Sequence, residues 1–177
     1  MSAKRVAASK PLPERHIGLE ARIADADHLS LKLWLRLLAS STQIETEIRR
    51  RLREQFAVSL PRFDYLAQLY RQGDGLRMNT LTRFLMVTGG SVTGLTDELE
   101  KDGLVQREND PQDRRSVRVH LTLAGRQTFE RMAQEHEAWV IELFGGLDGT
   151  QKKTMYESLG RLRAQLSAEH QAQEPTP

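Results

Sequence analysis

The spacing of apolar positions predicts a run of helices interrupted once by a β ribbon. Leu31, Leu33, Trp34, Leu35, Leu37 and Leu38 put apolar side chains on every side of a first helix, and Ile44, Ile48 and Leu52 continue as one stripe at i, i+4, i+8. A helix apolar all round in so small a protein is expected between two subunits. Ser59-Leu60-Pro61 opens a second helix, with Ser59 as N-cap and Pro61 in the first turn, where a missing N–H is tolerated. Phe63, Leu66, Ala67 and Tyr70 are its expected buried face, and Gly73 with Gly75 ends it. Met78, Leu81, Phe84 and Leu85 form a short third helix, and Thr88-Gly89-Gly90 turns into a fourth. In the fourth, Val92, Leu95 and Leu99 face inward, while Gly90, Thr93, Gly94, Asp97 and Lys101 face outward. Two short helices joined by a glycine-containing turn make a helix-turn-helix.

Gly103 stops the fourth helix, and the apolar period then shortens to that of a strand. Val117, Val119 and Leu121 alternate with Arg118 and His120, and an Asp110-Pro111 turn precedes them, crowned by Arg114 and Arg115. A helix beside a two-stranded, arginine-tipped ribbon suits a DNA duplex. The helix fits the major groove and the basic ribbon reaches an adjacent minor groove or phosphate run. Thr122 caps a fifth helix whose stripe runs through Phe129, Met132, Ala133, His136, Trp139 or Val140, and Leu143. Asp148 and Gln151 have capping-box spacing, and Met155, Leu159, Leu162 and Leu166 mark a last helix. The expected fold is mainly α with a small antiparallel β-wing: a winged helix-turn-helix plus a helical dimerisation lobe. Its expected segments are a tail at 1–13 and an N-terminal helical dimerisation and ligand segment at 14–60. A DNA-binding lobe at 61–121, dimerisation helices at 122–168 and a tail at 169–177 complete the order.

A length of 177 residues suits one domain, or one core with appended helices. The net charge is only +2, from 26 basic and 24 acidic residues, and it is unevenly placed. Residues 1–61 hold 11 basic and 7 acidic side chains, whereas 62–120 hold 9 of each. The DNA-reading region is neutral in sum, so affinity must come from a few placed arginines rather than bulk charge. The basic run at 49–53 reads as a solvated helix end that complements the dipole, rather than as a base contact.

The chain has no cysteine, which excludes disulfides, thiolate nucleophiles, thiol redox sensing and Cys-type zinc sites. Its five histidines show no metal-ligand spacing, and His136 on the apolar stripe reads as an interface histidine. No glycine-rich phosphate loop follows a strand, and no Ser, His and Asp set is suggested, so an enzyme and a cofactor are not expected. No apolar run approaches the roughly 20 residues of a membrane span. The basic N-terminal stretch has no apolar segment after it, so a soluble, cytoplasmic protein is expected.

Two segments, SVTGLTDELEKDGLV (91–105) and DPQDRRSVRVHLTLAGR (110–126), resemble the MarR-type winged-helix transcription regulators. The second holds that family's Asp-x-Arg-x-x-x-Val-x-Leu-Thr pattern as Asp113, Arg115, Val119, Leu121 and Thr122. The likeness runs over roughly 31–166 in element order and is densest from 60 to 126. It implies a homodimer built from the first, fifth and sixth helices and a DNA-reading lobe from the second to fourth helices and the wing. It also implies a small-molecule site where the two lobes meet. The chain departs from the family in three places. Asp97-Glu98-Leu99-Glu100 stands where relatives often have Asp-Arg-Leu-Glu, Arg77 stands where a Ser or Thr cap is common, and the thiol of peroxide-sensing members is absent.

Candidate DNA contacts are Gly90, Ser91, Thr93 and Gly94, whose small side chains let the backbone approach and whose hydroxyls can bond phosphate or base edges. By the family pattern Arg115 would enter a narrow minor groove and Arg114 would meet phosphate. Trp34, Arg36, Leu37, Tyr65 and Trp139 are candidate ligand-lining residues, since aromatic walls with an arginine suit an aromatic anion. The expected function is a ligand-responsive repressor released from a pseudo-palindromic operator by a small aromatic acid or its CoA thioester. The alternative is a winged-helix protein-interaction module without DNA binding.

Overall fold

The computed structural model describes residues 28–85, 89–110 and 113–173, with the side chains of 110, 113–115 and 169–173 outside that description. The described chain falls into two compact units, one ending at Trp139 and one beginning at Val140. The larger unit holds α1 (Leu29–Phe56), α2 (Leu60–Gln72), β1 (Leu76–Arg77), α3 (Met78–Leu85), α4 (Gly89–Lys101), β2 (Val105–Asp110), β3 (Asp113–Leu121) and most of α5 (Leu123–Leu143). The smaller unit holds the end of α5 and α6 (Gly149–Gln173).

The core of the larger unit is the meeting of α2, α3, α4, α5 and the sheet. Leu52, Tyr65, Leu66, Leu69, Leu81, Val92, Leu99, Val119 and Met132 have at most 2% of their surface exposed. Of the stripe expected in α1, Ile48 and Leu52 are buried, while Leu33 and Trp34 at its start are 62% and 55% exposed. The buried side chains of α2 are Phe63, Tyr65, Leu66 and Leu69. Tyr70 and Ala67, expected inside, are only half-buried. The face shifted because α2 packs against α1 as well as α3 and α4, so one stripe does not describe it. Ser59 holds the N-cap position in extended conformation, but its hydroxyl makes no cap hydrogen bond. Pro61 at the second helical position has no N–H to offer it.

The wing has a third strand that alternation could not reveal. β1 is two residues long and pairs Leu76 with Val119 and Arg77 with Arg118, giving the order β1-β3-β2. Arg77 therefore enters α3 from a paired strand. β2 and β3 pair antiparallel from Val105 opposite Leu121 to Asp110 opposite Asp113. Gly103, at φ +69°, ends α4 as expected, with Leu104 N–H returning to the Leu99 carbonyl at 2.9 Å.

In the smaller unit the capping box is realised in both directions. Gln151 N–H donates to Asp148 Oδ1 at 2.8 Å and Asp148 N–H to Gln151 Oε1 at 2.9 Å. Along α6, Met155, Leu159, Leu162 and Leu166 are exposed, and the helix runs on to Gln173, into the segment expected as a tail. The expected N-terminal tail and the residues up to 27 lie outside the described residues, as do 174–177.

Candidate nucleic-acid interface

Recognition by a helix needs one face held by the protein and one face left open. α4 begins at Gly89, so the Gly89-Gly90 pair expected in a turn forms its first residues. Val92, Thr96 and Leu99 are buried, while Gly90, Ser91, Thr93, Gly94 and Asp97 are exposed. A Cβ built on Gly90 or Gly94 would meet no atom within 4 Å, so packing does not require glycine at either position. Glycine inside a helix costs about 1 kcal/mol against alanine. Gly90 in the first turn and Gly94 one turn on leave that face of α4 without side chains. The Thr93 hydroxyl donates to the Gly89 carbonyl at 3.1 Å, so it must turn away before donating to a phosphate.

Thr96 is the buried polar residue of α4, and sequence reasoning passed over it. Its hydroxyl lies 2.7 Å from the Val92 carbonyl, which can only accept, and 2.6 Å from the Tyr65 hydroxyl. With the Thr96 proton directed to Val92, Tyr65 donates to Thr96. Burial pushes the Tyr65 phenol up, which keeps this donor protonated. The pair fixes the roll of α4 against α2. A second link joins Arg62 of α2 to Asp102 just past α4.

Two of the three acidic residues of α4, Asp97 and Glu100, are held from the wing, while Glu98 is exposed. Arg107 on β2 forms ion pairs with Asp97 at 2.5 Å and with Glu100, and its backbone N–H donates to Glu100 Oε1 at 3.1 Å. The wing is also tied to its base at Gly75, where Arg118 Nη2 donates to the carbonyl at 3.1 Å. Gly75 stands at φ +77°, and a Cβ there would lie 2.4 Å from His120 Nδ1 and 2.7 Å from the Val119 carbonyl oxygen. Glycine is required for both reasons. At the far end of the ribbon the Thr122 hydroxyl donates to the Gly103 carbonyl at 2.7 Å and accepts from Gly125 N–H at 2.9 Å, capping α5 as expected. Arg114 and Arg115 lie on β3 by their backbone, and their side chains are outside the described residues.

The five ligand-lining candidates divide in two. Trp34, Arg36 and Leu37 lie in the N-terminal half of α1, with Trp34 and Arg36 exposed and Leu37 half-buried. Tyr65 is fully buried and engaged with Thr96, and Trp139 is 4% exposed with its ring 6.2 Å from that of Phe56. His136 packs within the chain, 5.0 Å from the Phe63 ring, and burial lowers its pKa. The arginines of the 49–53 run pair along α1: Arg49 with Glu45, Arg50 with Glu47 and Glu54, and Arg51 with Glu47. Hydrogen bonds from Arg50 and Arg51 hold the pKa of Glu47 down to about 2; Arg49 and Arg50 are solvated and paired, while Arg51 is part-buried and Leu52 lies in the core. Among the described residues no group of three His, Asp or Glu could hold a metal ion, and no helix is long and apolar enough to cross a membrane.

A helix pair with an open second helix, flanked by a three-stranded ribbon, defines a winged helix-turn-helix protein. The sequence model described as the MarR family matches residues 58–117. A MarR family transcriptional regulator from Silicibacter pomeroyi, in its crystal structure, is 31% identical over 83% of this chain and 99% of its own, with a TM-score of 0.65. The HTH-type transcriptional repressor YetL of Bacillus subtilis is 29% identical over 89% of this chain and 96% of its own. S. aureus MepR, in a crystal structure of its DNA complex, is 26% identical over 77% of this chain and 97% of its own, with a TM-score of 0.64. The chain belongs to the MarR family of transcription regulators, and it is a regulator rather than an enzyme.

Proposed function

We propose that the protein is a DNA-binding homodimer that occupies a near-palindromic double-stranded operator and answers to a small effector in the cytoplasm. The observation that carries this reading is the open face of α4. Its exposed side opens with glycine and small hydroxyl residues from Gly90 to Gly94, while Val92, Thr96 and Leu99 anchor the opposite side. Gly90, Ser91, Thr93 and Gly94 approach the major groove, Arg115 enters the adjacent minor groove and Arg114 meets backbone phosphate. Support comes also from MepR, a relative whose structure was solved as a DNA complex. Residues 61–121 form the DNA-binding lobe, with 14–60 and 122–168 supplying dimerisation and ligand contacts.

Repression with release by an aromatic acid or its CoA thioester is our reading of the response. YetL, named a repressor, supports the sign. The exposed Trp34 and Arg36 on α1 support an aromatic anion, with Leu37 beside them, and the buried Tyr65 and Trp139 would line such a site from the core side. A salt titration of binding tests DNA recognition. A duplex selected from a random library should be bound with log affinity falling linearly in log salt. A slope of zero, or no duplex selected, would instead favour the protein-interaction alternative. An aromatic-acid panel read by gel shift and tryptophan fluorescence tests the effector, and no change across the panel would reject it.

A further inference from the structure

On an α-helix, positions 90, 94, 97 and 101 fall on one face, so Asp97 stands in the middle of the open side of α4. A carboxylate there opposes the phosphates that the face must approach. Glu100 adds a second negative charge on the flank of the same helix. Both charges are met by one side chain, Arg107, which reaches them from β2 and is itself only 27% exposed. Its backbone N–H also bonds Glu100, so the guanidinium is aimed rather than draped over the surface. A planar fork can serve two carboxylates at once, which an ammonium cannot do with the same geometry.

Resting on the DNA-binding reading above, we propose that Arg107 is a positioning residue for operator binding: it offsets the negative charge of Asp97 and Glu100 beside the open face of α4, without itself contacting DNA. The neutral sum of the reading lobe then conceals an arrangement. Two of the three acidic side chains of α4 are drawn onto a wing arginine, which lowers the negative charge beside the open face; Glu98 stays exposed. Removing Arg107 uncovers two carboxylates. Removing the carboxylates as well leaves no charge to cancel.

The test uses the full-length protein and the duplex it selects from a random library, read by fluorescence anisotropy across a salt series. Arg107→Ala should weaken binding to selected and unrelated duplexes alike by about tenfold or more, because the repulsion is to phosphate and blind to sequence. Adding Asp97→Asn and Glu100→Gln to Arg107→Ala should return affinity to within about threefold of wild type. A purely mechanical brace would not be restored, since the triple variant has no ion pair between β2 and α4. Asp97→Asn alone should bind at least as tightly as wild type and fold normally, which keeps the proposal testable if Arg107→Ala melts early. Unchanged affinity in Arg107→Ala overturns the proposal. So does an unrescued triple variant, which would mean a direct DNA contact or a brace. If wild type selects no duplex, the DNA-binding reading fails first, and that result is distinguishable from failure of this proposal.

Discussion

Single atoms set the tolerance of the joint between ribbon and α5. A Cβ at Gly125 would sit 1.9 Å from the Leu104 carbonyl oxygen, and the same carbonyl accepts from Thr122 N–H at 3.0 Å. Backbone on both sides leaves nothing flexible to give way, so Gly125→Ala should cost about 2–4 kcal/mol, read as a lowered denaturant midpoint. A wild-type midpoint would show that the joint yields. Thr122 was legible as a cap, but the need for glycine three residues on was not, because it arises from a neighbour distant in sequence. The hydrogen bond of Tyr65 was hidden for the same reason: its partner Thr96 lies 31 positions away. His136 gives a pH dependence with a definite sign. Burial lowers its pKa from 6.5, with Asp64 opposing, so the unfolded chain takes up the proton first. Stability is therefore full above the unfolded value and falls as the pH drops through it toward the lower folded value. Asp64, raised by burial, acts in the opposite sense at lower pH. His136→Gln should flatten the stability profile between about pH 7 and 5.5, measured by urea denaturation, and an unaltered profile would assign the dependence elsewhere.

Element boundaries followed the sequence where a local signal set them and departed where pairing did. Asp148 with Gln151 and the stop at Gly103 were each readable from spacing alone, and each stands where expected. β1 was invisible because a two-residue strand exists only through its partners on β3. The end of α1 shows a local cost. Ala57 adopts the left-handed conformation, φ 54° and ψ 29°, while its N–H closes onto Arg53 and Val58 N–H onto Leu52. A Cβ in that region costs roughly 1–2 kcal/mol, partly offset in glycine by greater freedom of the unfolded chain. Ala57→Gly should therefore stabilise the protein by about 0.5–1 kcal/mol, seen as a raised thermal midpoint. A lowered midpoint would mean that the methyl group does more in packing than its backbone strain takes away.

At the scale of the whole molecule, most of the exposed large apolar side chains among the described residues lie on α1 and α6, with Phe84, Leu123 and Ile141 elsewhere. Leu29, Leu31, Leu33, Trp34 and Leu38 on α1 are between 45% and 73% exposed, and Met155, Leu159, Leu162 and Leu166 on α6 between 39% and 56%. Isolated exposed leucines are ordinary, but a contiguous apolar helix segment in a monomer is not. A second copy of the chain is the partner this family typically uses. Two copies would also set two α4 helices on half-sites about one helical turn apart. Association should then be visible in stability, since an obligate dimer loses folded population on dilution. We expect sedimentation at micromolar concentration to give twice the 20.2 kDa chain mass and the melting temperature to fall as the protein is diluted. Leu38→Glu puts a charge on the exposed side of α1, away from the buried Ile48 and Leu52. It should weaken the dimer, lower the melting temperature and reduce binding to a selected duplex. A Leu38→Glu protein that remains dimeric, with full affinity, would move the interface off α1.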